Sequence, residues 1–392
     1  MGLCAIAFAW AADRAMILFV AMDARCWWLP LLLTPSGYAI IVWLTNTLAP
    51  AARGSGIPQV IAAKHDPSSA TSALASARTA VVKAILTAAA LVCGGTVGRE
   101  GPTVQLGATV MAYTHRIARV PITASVLVAG AAAGVAAAFN TPLAGVAFAI
   151  EELAAAYEQR MTLLVMSAVL ISGMIALGIA GDYVYFGVVG ETLPLGAVLL
   201  VSPVAGVLGG VSGGLFARLT LWFARGGARK VSGGRPLLFA SACGLVVALI
   251  GVSTGMTWGT GYSAARAMLD GGHAPLWFGP AKFMTTLLTA AAGLPGGIFS
   301  PSLATGAGVG NLVHALFPGQ PSGAVVLLGM VAYFTGVVRA PLTAVIIMSE
   351  TTGSRGLVLP LLATALIAEG AARLVCRERL YHGLAEGFAE RR

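Results

Sequence analysis

The stretch GGIFSPSLATGAG, Gly296–Gly308, decides how the rest of the chain is interpreted. It holds four glycines, two serines and one proline in thirteen residues, within a chain dominated by Ala, Val, Leu and Ile. Glycine lets the backbone approach a ligand closely, and Pro301 suits a first helical turn because its missing N–H would be unpaired there. We predict that a helix begins here with N–H groups that face a small anion. The alternative is that the glycines only allow close helix packing.

The composition is that of an integral membrane protein. Of the 392 residues, 57% are hydrophobic and 10% are charged, whereas a soluble domain has roughly 25% charged residues. Apolar runs such as Ser125–Phe139 and Leu357–Ala368 lack the alternation of a barrel strand. Several runs are shorter than the ~20 residues that span a bilayer, and 50 Gly and 19 Pro interrupt them. We therefore predict an all-α polytopic membrane protein with partly re-entrant helices, a design typical of transporters and channels.

The basic residues favour membrane edges over a nucleic-acid surface, although the net charge is +9. One cluster comprises Arg218, Arg225, Arg229, Lys230 and Arg235, and a second comprises Arg373, Arg377, Arg379, Arg391 and Arg392. Both should face the cytoplasm by the positive-inside rule. The run Met1–Ala21 predicts a first membrane helix and no cleavable signal.

The five cysteines are scattered and odd in number. They fit neither a disulfide framework nor a metal site, and we expect them to be buried apolar residues. The sequence contains no cofactor or metal motif.

Two pairs of motifs repeat at one offset of 199 residues. GREGPTVQLGATV, from Gly98, aligns with GIFSPSLATGAGV, from Gly297, and NTPLAGVAFAIEE, from Asn140, aligns with RAPLTAVIIMSET, from Arg339. We predict a single transmembrane domain over residues 1–392, made of related halves 1–198 and 199–392, with the binding site between them. The offset does not tell a parallel repeat from an inverted one.

Three segments combine a glycine-rich turn with a proline for the first helical turn: GSGIP (Gly54–Pro58), GREGP (Gly98–Pro102) and GGIFSP (Gly296–Pro301). Glu100 lies inside GREGP, where a carboxylate would take the place of an anion. Charged, it would fill the site, and protonated, it would leave. The alternative is a carboxylate that only caps a helix.

Other acidic residues have weaker signals. Glu151 and Glu152 end an apolar run, and either is a candidate proton relay or a solvated helix-end carboxylate. Glu350 is the repeat equivalent of Glu151 and is expected to be structural. For Glu369 and Arg373 we expect a helical i,i+4 ion pair.

Taken in order, GSGIP, GREGP, the FNTPLAG…EE block (Phe139–Glu152), GGIFSP and LYHGL (Leu380–Leu384) resemble the CLC family of chloride channels and chloride/proton exchangers. The resemblance spans most of the chain. It implies an inverted-repeat helical fold and a homodimer with one anion pathway per subunit. It also implies a transporter of chloride and protons, not an enzyme, in the lipid of a bacterial cell membrane.

The resemblance assigns the anion site. Ser55 and Tyr381 match hydroxyls that bind the central anion, and Ile298 and Phe299 match backbone N–H donors to it. The motif glycines Gly54 and Gly101 belong to the same anion-binding set. Serine at position 55 favours chloride over nitrate, for which the family tends to use Pro, and over fluoride, where Met is common.

The resemblance also assigns the proton-coupling residues. Glu100 matches the gating glutamate. Glu152 matches the inner proton glutamate that many exchangers have and that channels of the family generally lack, so it favours an exchanger. The LAAA segment after Glu152 departs from exchangers that place polar and basic residues there. The family's first cytoplasmic helix and its pair of C-terminal regulatory domains are also expected to be missing.

Three alternative functions remain open. One is a chloride channel or a fluoride/proton antiporter of the same family. The second is a receptor or scaffold, in which Glu100 and Ser55 would be dispensable and no ion flux would occur. The third is an intramembrane serine protease, because GVSG (Gly210–Gly213) fits the pattern GxSG and His314 is a conceivable base. The protease interpretation leaves GSGIP, GREGP and the repeat unexplained.

Overall fold

A computed structural model describes residues 1–65, 67, 74–153, 159–181, 184–272 and 274–389. Most of the LAAA segment, residues 154–156, and the terminal Arg391 and Arg392 lie outside these ranges. The described chain is helical, and its one isolated β-bridge joins Gly98 to Gly297. The predicted all-α fold is confirmed.

The helices before residue 190 are α1 (Gly2–Arg25), α2 (Pro30–Leu48), α3 (Ile57–His65), α4 (Ala77–Val92), α5 (Glu100–Ile117), α6 (Ala124–Phe139), α7 (Pro142–Phe148) and α8 (Gln159–Ala180). Those after it are α9 (Leu195–Trp222), α10 (Ala228–Ser232), α11 (Pro236–Thr254), α12 (Tyr262–Leu269), α13 (Phe278–Ala292), α14 (Phe299–Leu316), α15 (Ser322–Val338), α16 (Pro341–Thr352), α17 (Val358–Val375) and α18 (Leu380–Ala389). A π-helical turn, Ala149–Leu153, follows α7, and a kinked segment, Phe223–Gly227, in which Arg225 and Gly226 leave the helical conformation, follows α9.

Helix length varies as the interrupted apolar runs predict. In the described ranges, five helical segments are long and apolar enough to cross a membrane: Gly2–Arg25, Pro30–Leu48, Leu195–Ser232, Pro236–Thr254 and Arg355–Val375. Others, such as Ala124–Phe139 and Ser322–Val338, are apolar but shorter than 18 residues. A short apolar helix within a membrane protein must have its polar ends satisfied by other protein segments or by a cavity.

The two helix pairs at the repeat motifs have the same local geometry. α6 ends at Asn140 and α15 ends at Arg339, and both residues have left-handed backbone conformations, with φ of 57° and 65°. Pro142 and Pro341 then begin the next helices. A left-handed residue ends a helix by satisfying its last carbonyls, and proline suits the next first turn. Each motif pair therefore specifies the same sharp reversal of the chain.

Contacts between the halves are reciprocal. The Glu350 carboxylate accepts the N–H groups of Leu143 and Ala144 at 3.2 and 2.8 Å, at the start of α7. In the other direction, the Glu151 carboxylate accepts those of Leu342 and Thr343 at 3.1 and 2.7 Å, at the start of α16. Such an exchange of equivalent contacts is the mark of a twofold relation between two units. The division at residues 198 and 199 stays a prediction.

Glycines bring the central helices into backbone contact. A Cβ on Gly130 of α6 would lie 2.6 Å from the carbonyl oxygen of Gly107 in α5. The equivalent Gly329 of α15 packs against Gly306 and Gly310 of α14, and a Cβ there would overlap the Gly310 backbone. Small residues permit this close approach between membrane helices, where dispersion and packing stabilise association.

The expectation of buried cysteines is wrong for part of the set. Cys243 and Cys376 are buried, Cys26 and Cys93 are half-buried, and Cys4 is exposed. Cys4 lies on α1, a helix with much of its surface outside the protein core. A thiol behaves as a small hydrophobic group and is tolerated on such a surface.

Described residues of the two basic clusters lie close together. Arg225 donates to Glu378 and Glu386 at 2.5 and 3.0 Å, which ties the kinked segment after α9 to the C-terminal segment. A surface cavity is lined by Arg218 and Lys230 from the first cluster and by Arg377 from the second. The positive-inside rule assigns this region to the cytoplasm. The Arg225 guanidinium also holds the pKa of the exposed Glu378 carboxyl below its usual value.

Candidate functional site

The three glycine-rich segments meet in space. The Gly296 N–H donates to the Gly54 carbonyl at 3.1 Å, which joins GGIFSP to GSGIP. Gly98 and Gly297 exchange two N–H···O=C hydrogen bonds of 2.7 Å, which join GREGP to GGIFSP. The helices that follow these segments, α3, α5 and α14, therefore all begin near one point. The free N–H groups and partial positive charges of helix N-termini favour negative charge there.

The motif glycines meet specific backbone requirements. Gly54 has φ of +69° and Gly56 has φ of +110°, in the region that favours glycine. A Cβ on Gly101 would lie 2.5 Å from the Ser55 hydroxyl oxygen and 2.7 Å from its carbonyl oxygen. A larger residue at position 101 would displace Ser55. The two motifs thus fix the position of the serine hydroxyl.

Two buried hydroxyls lie side by side at this junction. Ser55 is 7% exposed and Tyr381 is fully buried, and the two hydroxyls are neighbours. Neither oxygen has a partner with hydrogen-bond geometry in the described residues. Buried hydroxyls in proteins nearly always have a hydrogen-bond partner. Two neighbouring buried hydroxyls without one therefore indicate a binding site for a polar ligand. The Tyr381 hydroxyl also interacts electrostatically with both Glu152 and Glu100.

Ile298 and Phe299 lie at the start of α14 and are both buried. The Phe299 ring is held by an aromatic cluster, with ring centroids 4.9 Å from Phe334, 5.8 Å from Phe148 and 6.0 Å from Tyr381. The first N–H groups of a helix have no intrahelical acceptor. The packing of Phe299 therefore holds this helix start, and its N–H donors, beside the tyrosine.

The Glu100 side chain contacts the start of α14, although Glu100 itself is the first residue of α5. It is fully buried, and its Oε1 accepts a 2.5 Å hydrogen bond from the Ser300 hydroxyl. The Ser300 N–H lies 3.5 Å from Oε2. The carboxylate thus occupies the N-terminus of α14, where an anion would also be stabilised.

Glu152 and Glu151 have different surroundings although they are adjacent in one π-helical turn. Glu151 caps α16, as described above, and its role as a proton relay stays a prediction. Glu152 is 1% exposed, and both of its carboxylate oxygens lack an aligned hydrogen bond in the described residues. The His382 imidazole is a close ionisable neighbour, and its Nδ1 lies 3.3 Å from Oε1. π-helical turns often occur at functional sites.

Cavities approach the junction from more than one segment. An inner cavity of about 290 Å³ is lined by Gly54, Ser55, Gly297 and Ile298, and it shares Arg53 with a wider cavity of about 580 Å³ that Arg225 and Arg229 also line. Another cavity, the outer cavity, of about 680 Å³, is lined by Arg99 and Tyr185. Arg99 directly precedes Glu100 and donates to the Asp13 carboxylate at 2.8 Å. One cavity therefore reaches Ser55 and another reaches the chain neighbour of Glu100.

Two residues of the site were not among the sequence predictions. Ser300 follows Phe299 in GGIFSP, and its signal is a hydroxyl in the first turn of a helix. His382 follows Tyr381 in LYHGL, and its only signal is a titratable residue beside an assigned one. The expected ion pair between Glu369 and Arg373 is confirmed at 3.0 Å.

The protease residues do not form a site. The Ser212 hydroxyl donates to the Leu208 carbonyl at 2.6 Å within α9. His314 lies near the end of α14, where its Nε2 is 3.1 Å from the Gln320 carbonyl. Each side chain is engaged in its own helix or turn, so the predicted nucleophile and base are not paired.

Membrane helices that begin together at one buried site, with buried carboxylates and cavities beside them, are typical of ion-transport proteins. The family model described as "Voltage gated chloride channel" matches residues 37–373. The chain therefore belongs to the voltage-gated chloride channel, or CLC, family.

Relatives and solved structures agree with this assignment. The "H(+)/Cl(-) exchange transporter ClcA" of Vibrio cholerae is 33% identical over 383 residues, which cover 91% of this chain and 79% of that protein. The protein of that name from Yersinia pestis is 32% identical over 389 residues, covering 88% and 78%. These relatives are transporters, and they support a non-enzymatic role.

The fold matches solved CLC structures. A slow cyanobacterial Cl⁻/H⁺ antiporter has a TM-score of 0.84 at 24% identity, with 100% of this chain and 96% of that chain covered. A CLC-type fluoride/proton antiporter has a TM-score of 0.82 at 21% identity, with 96% and 94% covered. The inverted-repeat CLC fold and the integral membrane location, both predicted from the motifs, are confirmed.

Proposed function

We propose that the protein is a chloride/proton antiporter with an anion pathway in each subunit and Glu100 as its gate. The observation that carries the proposal is that two buried carboxylates, Glu100 and Glu152, both lie close enough to the buried Tyr381 hydroxyl to interact with it, next to the Ser55 hydroxyl. Anion binding and proton transfer then share one short pathway. The names of the ClcA relatives support the same exchange reaction.

Chloride is held at the hydroxyl pair and at the start of α14. The Ser55 and Tyr381 hydroxyls supply two donors, and the N–H groups of Ile298 and Phe299 supply two more. Gly54 and Gly101 shape the turn that presents Ser55. Helix N-termini stabilise an anion without a full positive charge, which suits an ion that must also leave.

Glu100 competes with chloride for the outer part of this pathway. Its carboxylate lies on the N-terminus of α14 and accepts the Ser300 hydroxyl hydrogen. When Glu100 takes up a proton, its attraction to the helix N-terminus falls, so the side chain leaves and an anion enters. Return of the charged side chain displaces the anion, which links one proton to the movement of chloride.

Glu152 supplies protons to this gate from the end that carries the basic clusters. It is buried next to Tyr381 and near Lys64 and Arg379. Nearby positive charges stabilise its ionised form, while burial opposes it. A carboxyl group under both influences can bind and release a proton during the cycle.

The test is proton movement in sealed proteoliposomes with low chloride inside, high chloride outside, no initial pH gradient and the voltage held near zero. An antiporter lets chloride enter while protons leave, so the outside medium becomes more acidic. Glu100→Ala should keep chloride flux and lose proton movement.

Other outcomes separate the alternatives within the family. Chloride flux without proton movement in the unaltered protein would mean a channel. Transport of fluoride with protons, in the absence of chloride flux, would mean a fluoride/proton antiporter. Loss of chloride flux in Glu100→Ala would contradict the gate role.

A further inference from the structure

We propose that His382 transfers protons between the aqueous end of the protein and Glu152. This inference rests on the proposed antiport function and identifies the residue through which protons enter the buried carboxyl group. The imidazole Nδ1 lies 3.3 Å from Glu152 Oε1. The His382 side chain is 41% exposed in this chain, whereas that of Glu152 is 0% exposed. One side chain therefore reaches both the protein surface and the buried group.

The other charged groups around Glu152 are engaged elsewhere. The Lys64 ammonium, from α3, donates to the Leu153 carbonyl at 2.6 Å. The Arg379 guanidinium, from the segment before α18, donates to the Glu151 carbonyl at 3.2 Å. Glu151 itself caps α16. These cations favour negative charge at Glu152 without contacting its oxygens directly.

The remaining neighbours do not replace His382. Tyr381 precedes it on α18, but it is fully buried beside the Ser55 hydroxyl and does not reach the surface. Glu386, one turn further along α18, is exposed and accepts a hydrogen bond from Arg225. Among the described groups near Glu152, His382 combines contact with the carboxylate and exposure at the surface.

Imidazole chemistry suits the transfer. Histidine side chains gain and lose a proton between about pH 5 and 8. When a proton moves towards Glu152, a hydronium ion at the aqueous end protonates Nε2 and becomes water, and the Nδ1 proton passes to Oε1 of Glu152. The imidazolium becomes neutral imidazole and the carboxylate becomes a carboxylic acid, so one proton is moved and charge is conserved. Rotation of the ring returns an N–H to the Glu152 side.

The contact is close but not an aligned hydrogen bond, since neither Nδ1 nor the Glu152 oxygens have a partner of suitable geometry. A purely structural ion pair would be expected to have good alignment, because its stability depends on it. A relay needs a donor that approaches the carboxyl group and also turns away from it. The 3.3 Å separation without an aligned hydrogen bond leaves the imidazole ring free to turn away from Glu152.

The experiment uses the full chain in proteoliposomes and records chloride and proton fluxes in the same vesicles. His382→Gln should lower proton flux by roughly tenfold or more, because a positioned proton carrier has been removed. Chloride flux should stay within about twofold, since no anion ligand has been changed. His314→Gln, a half-buried histidine bonded to the Gln320 carbonyl, is the matched control and should leave both fluxes unchanged.

Chemical rescue separates proton transfer from a structural role. Imidazole added to His382→Ala should raise the proton flux of that variant at least threefold, because the cavity left by the ring admits the free base. The same imidazole should not rescue the double variant His382→Ala/Glu152→Gln, nor move protons in protein-free vesicles. Rescue in the single variant alone supports the proposal.

The outcomes also separate this inference from the proposed function. If the unaltered protein moves chloride without protons, the antiport function fails first. If the unaltered protein couples the two ions and His382→Gln couples them equally well, the relay proposal is overturned. Loss of both fluxes in both His382 variants, with no rescue, assigns the residue to structure and also overturns it.

Discussion

At the scale of the residue, Glu100 and Glu152 differ in what holds each carboxylate. Glu100 accepts a short hydrogen bond from the Ser300 hydroxyl at a helix N-terminus. Glu152 is equally buried but lacks an aligned donor among the described residues. A carboxylate held by donors competes with an anion for them, whereas one without donors exchanges protons with whatever titratable group approaches it. The two environments therefore suit a gate and a proton carrier.

Replacing Glu152 by glutamine tests its assignment. Glu152→Gln should keep chloride flux and lower proton flux by roughly a hundredfold, because an amide cannot carry the proton. Glu151→Gln is the matched control in the same π-helical turn. Since Glu151 caps α16, its variant should lower thermal stability but retain coupling. Chloride and proton fluxes are measured for both variants. Unchanged proton flux in Glu152→Gln would show that Glu152 is not part of the proton pathway.

The hydroxyl of Ser300 should control how often Glu100 leaves the pathway. A hydrogen bond to a charged group contributes about 1.5–3 kcal/mol, so Ser300→Ala weakens the hold of α14 on the carboxylate. We expect chloride flux at neutral pH to rise several-fold while proton coupling persists, because the Glu100 carboxyl group remains. Ser302→Ala, on the same helix, is the control, since the Ser302 hydroxyl has no partner in the described residues. Equal fluxes in unaltered protein and Ser300→Ala would refute the role.

The sequence predicted some site residues and missed others for a physical reason. Ser55, Glu100 and Tyr381 lie in motifs whose glycines, prolines and lone polar residues stand out in an apolar chain. The partners Ser300 and His382 are 200 and 230 residues away from the carboxylates that they contact. Those contacts depend on how whole helices pack, and local patterns carry no information on that packing. The roles of all these residues in transport stay predictions.

At the scale of the element, glycines set the distance between α14 and α15. Gly329→Ala should destabilise the fold by about 1–3 kcal/mol, because its new methyl group would overlap the Gly310 backbone and backbone cannot move aside cheaply. Gly370→Ala is the matched control. Gly370 is an exposed helical glycine with no atom within 4 Å of an added Cβ, so alanine there should be neutral or slightly stabilising.

The measurement is the midpoint temperature of unfolding in detergent. Unfolding is detected as the loss of monodisperse protein on heating. A fall in the midpoint for Gly329→Ala with no fall for Gly370→Ala is expected. Equal midpoints for the two variants would mean that the helices separate easily and that the glycine contact is not a packing constraint.

The helices and their interruptions were largely predictable from the sequence. Pro142 and Pro341 mark first turns in both halves, and the 199-residue offset pairs the motifs. The exchange of caps between Glu151 and Glu350 was not predictable, because it depends on the twofold relation between the halves. The same offset permits a parallel or an inverted arrangement, and only the packed structure distinguishes them.

At the scale of the whole molecule, charge and cavities favour an anion that enters from the basic end. Arg53, Arg225 and Arg229 line the wider cavity together with one acidic residue, Glu386, and this cavity adjoins the inner cavity at Ser55. A cleft lined by positive charge raises the local concentration of anions. The outer cavity begins at Arg99, beside Glu100. The fold therefore brings one cavity to Ser55 and another to the chain neighbour of Glu100.

The most direct test of the antiport account is the voltage at which net ion flow through reconstituted protein is zero, measured at a fixed chloride gradient and several pH gradients. If chloride movement is coupled to proton movement in the opposite direction, this voltage must shift with the pH gradient. We predict such a shift for the unaltered protein and its loss in Glu100→Ala, where zero flow should follow the chloride gradient alone. A zero-flow voltage of the unaltered protein that stays at the chloride equilibrium value at every pH gradient would contradict the account.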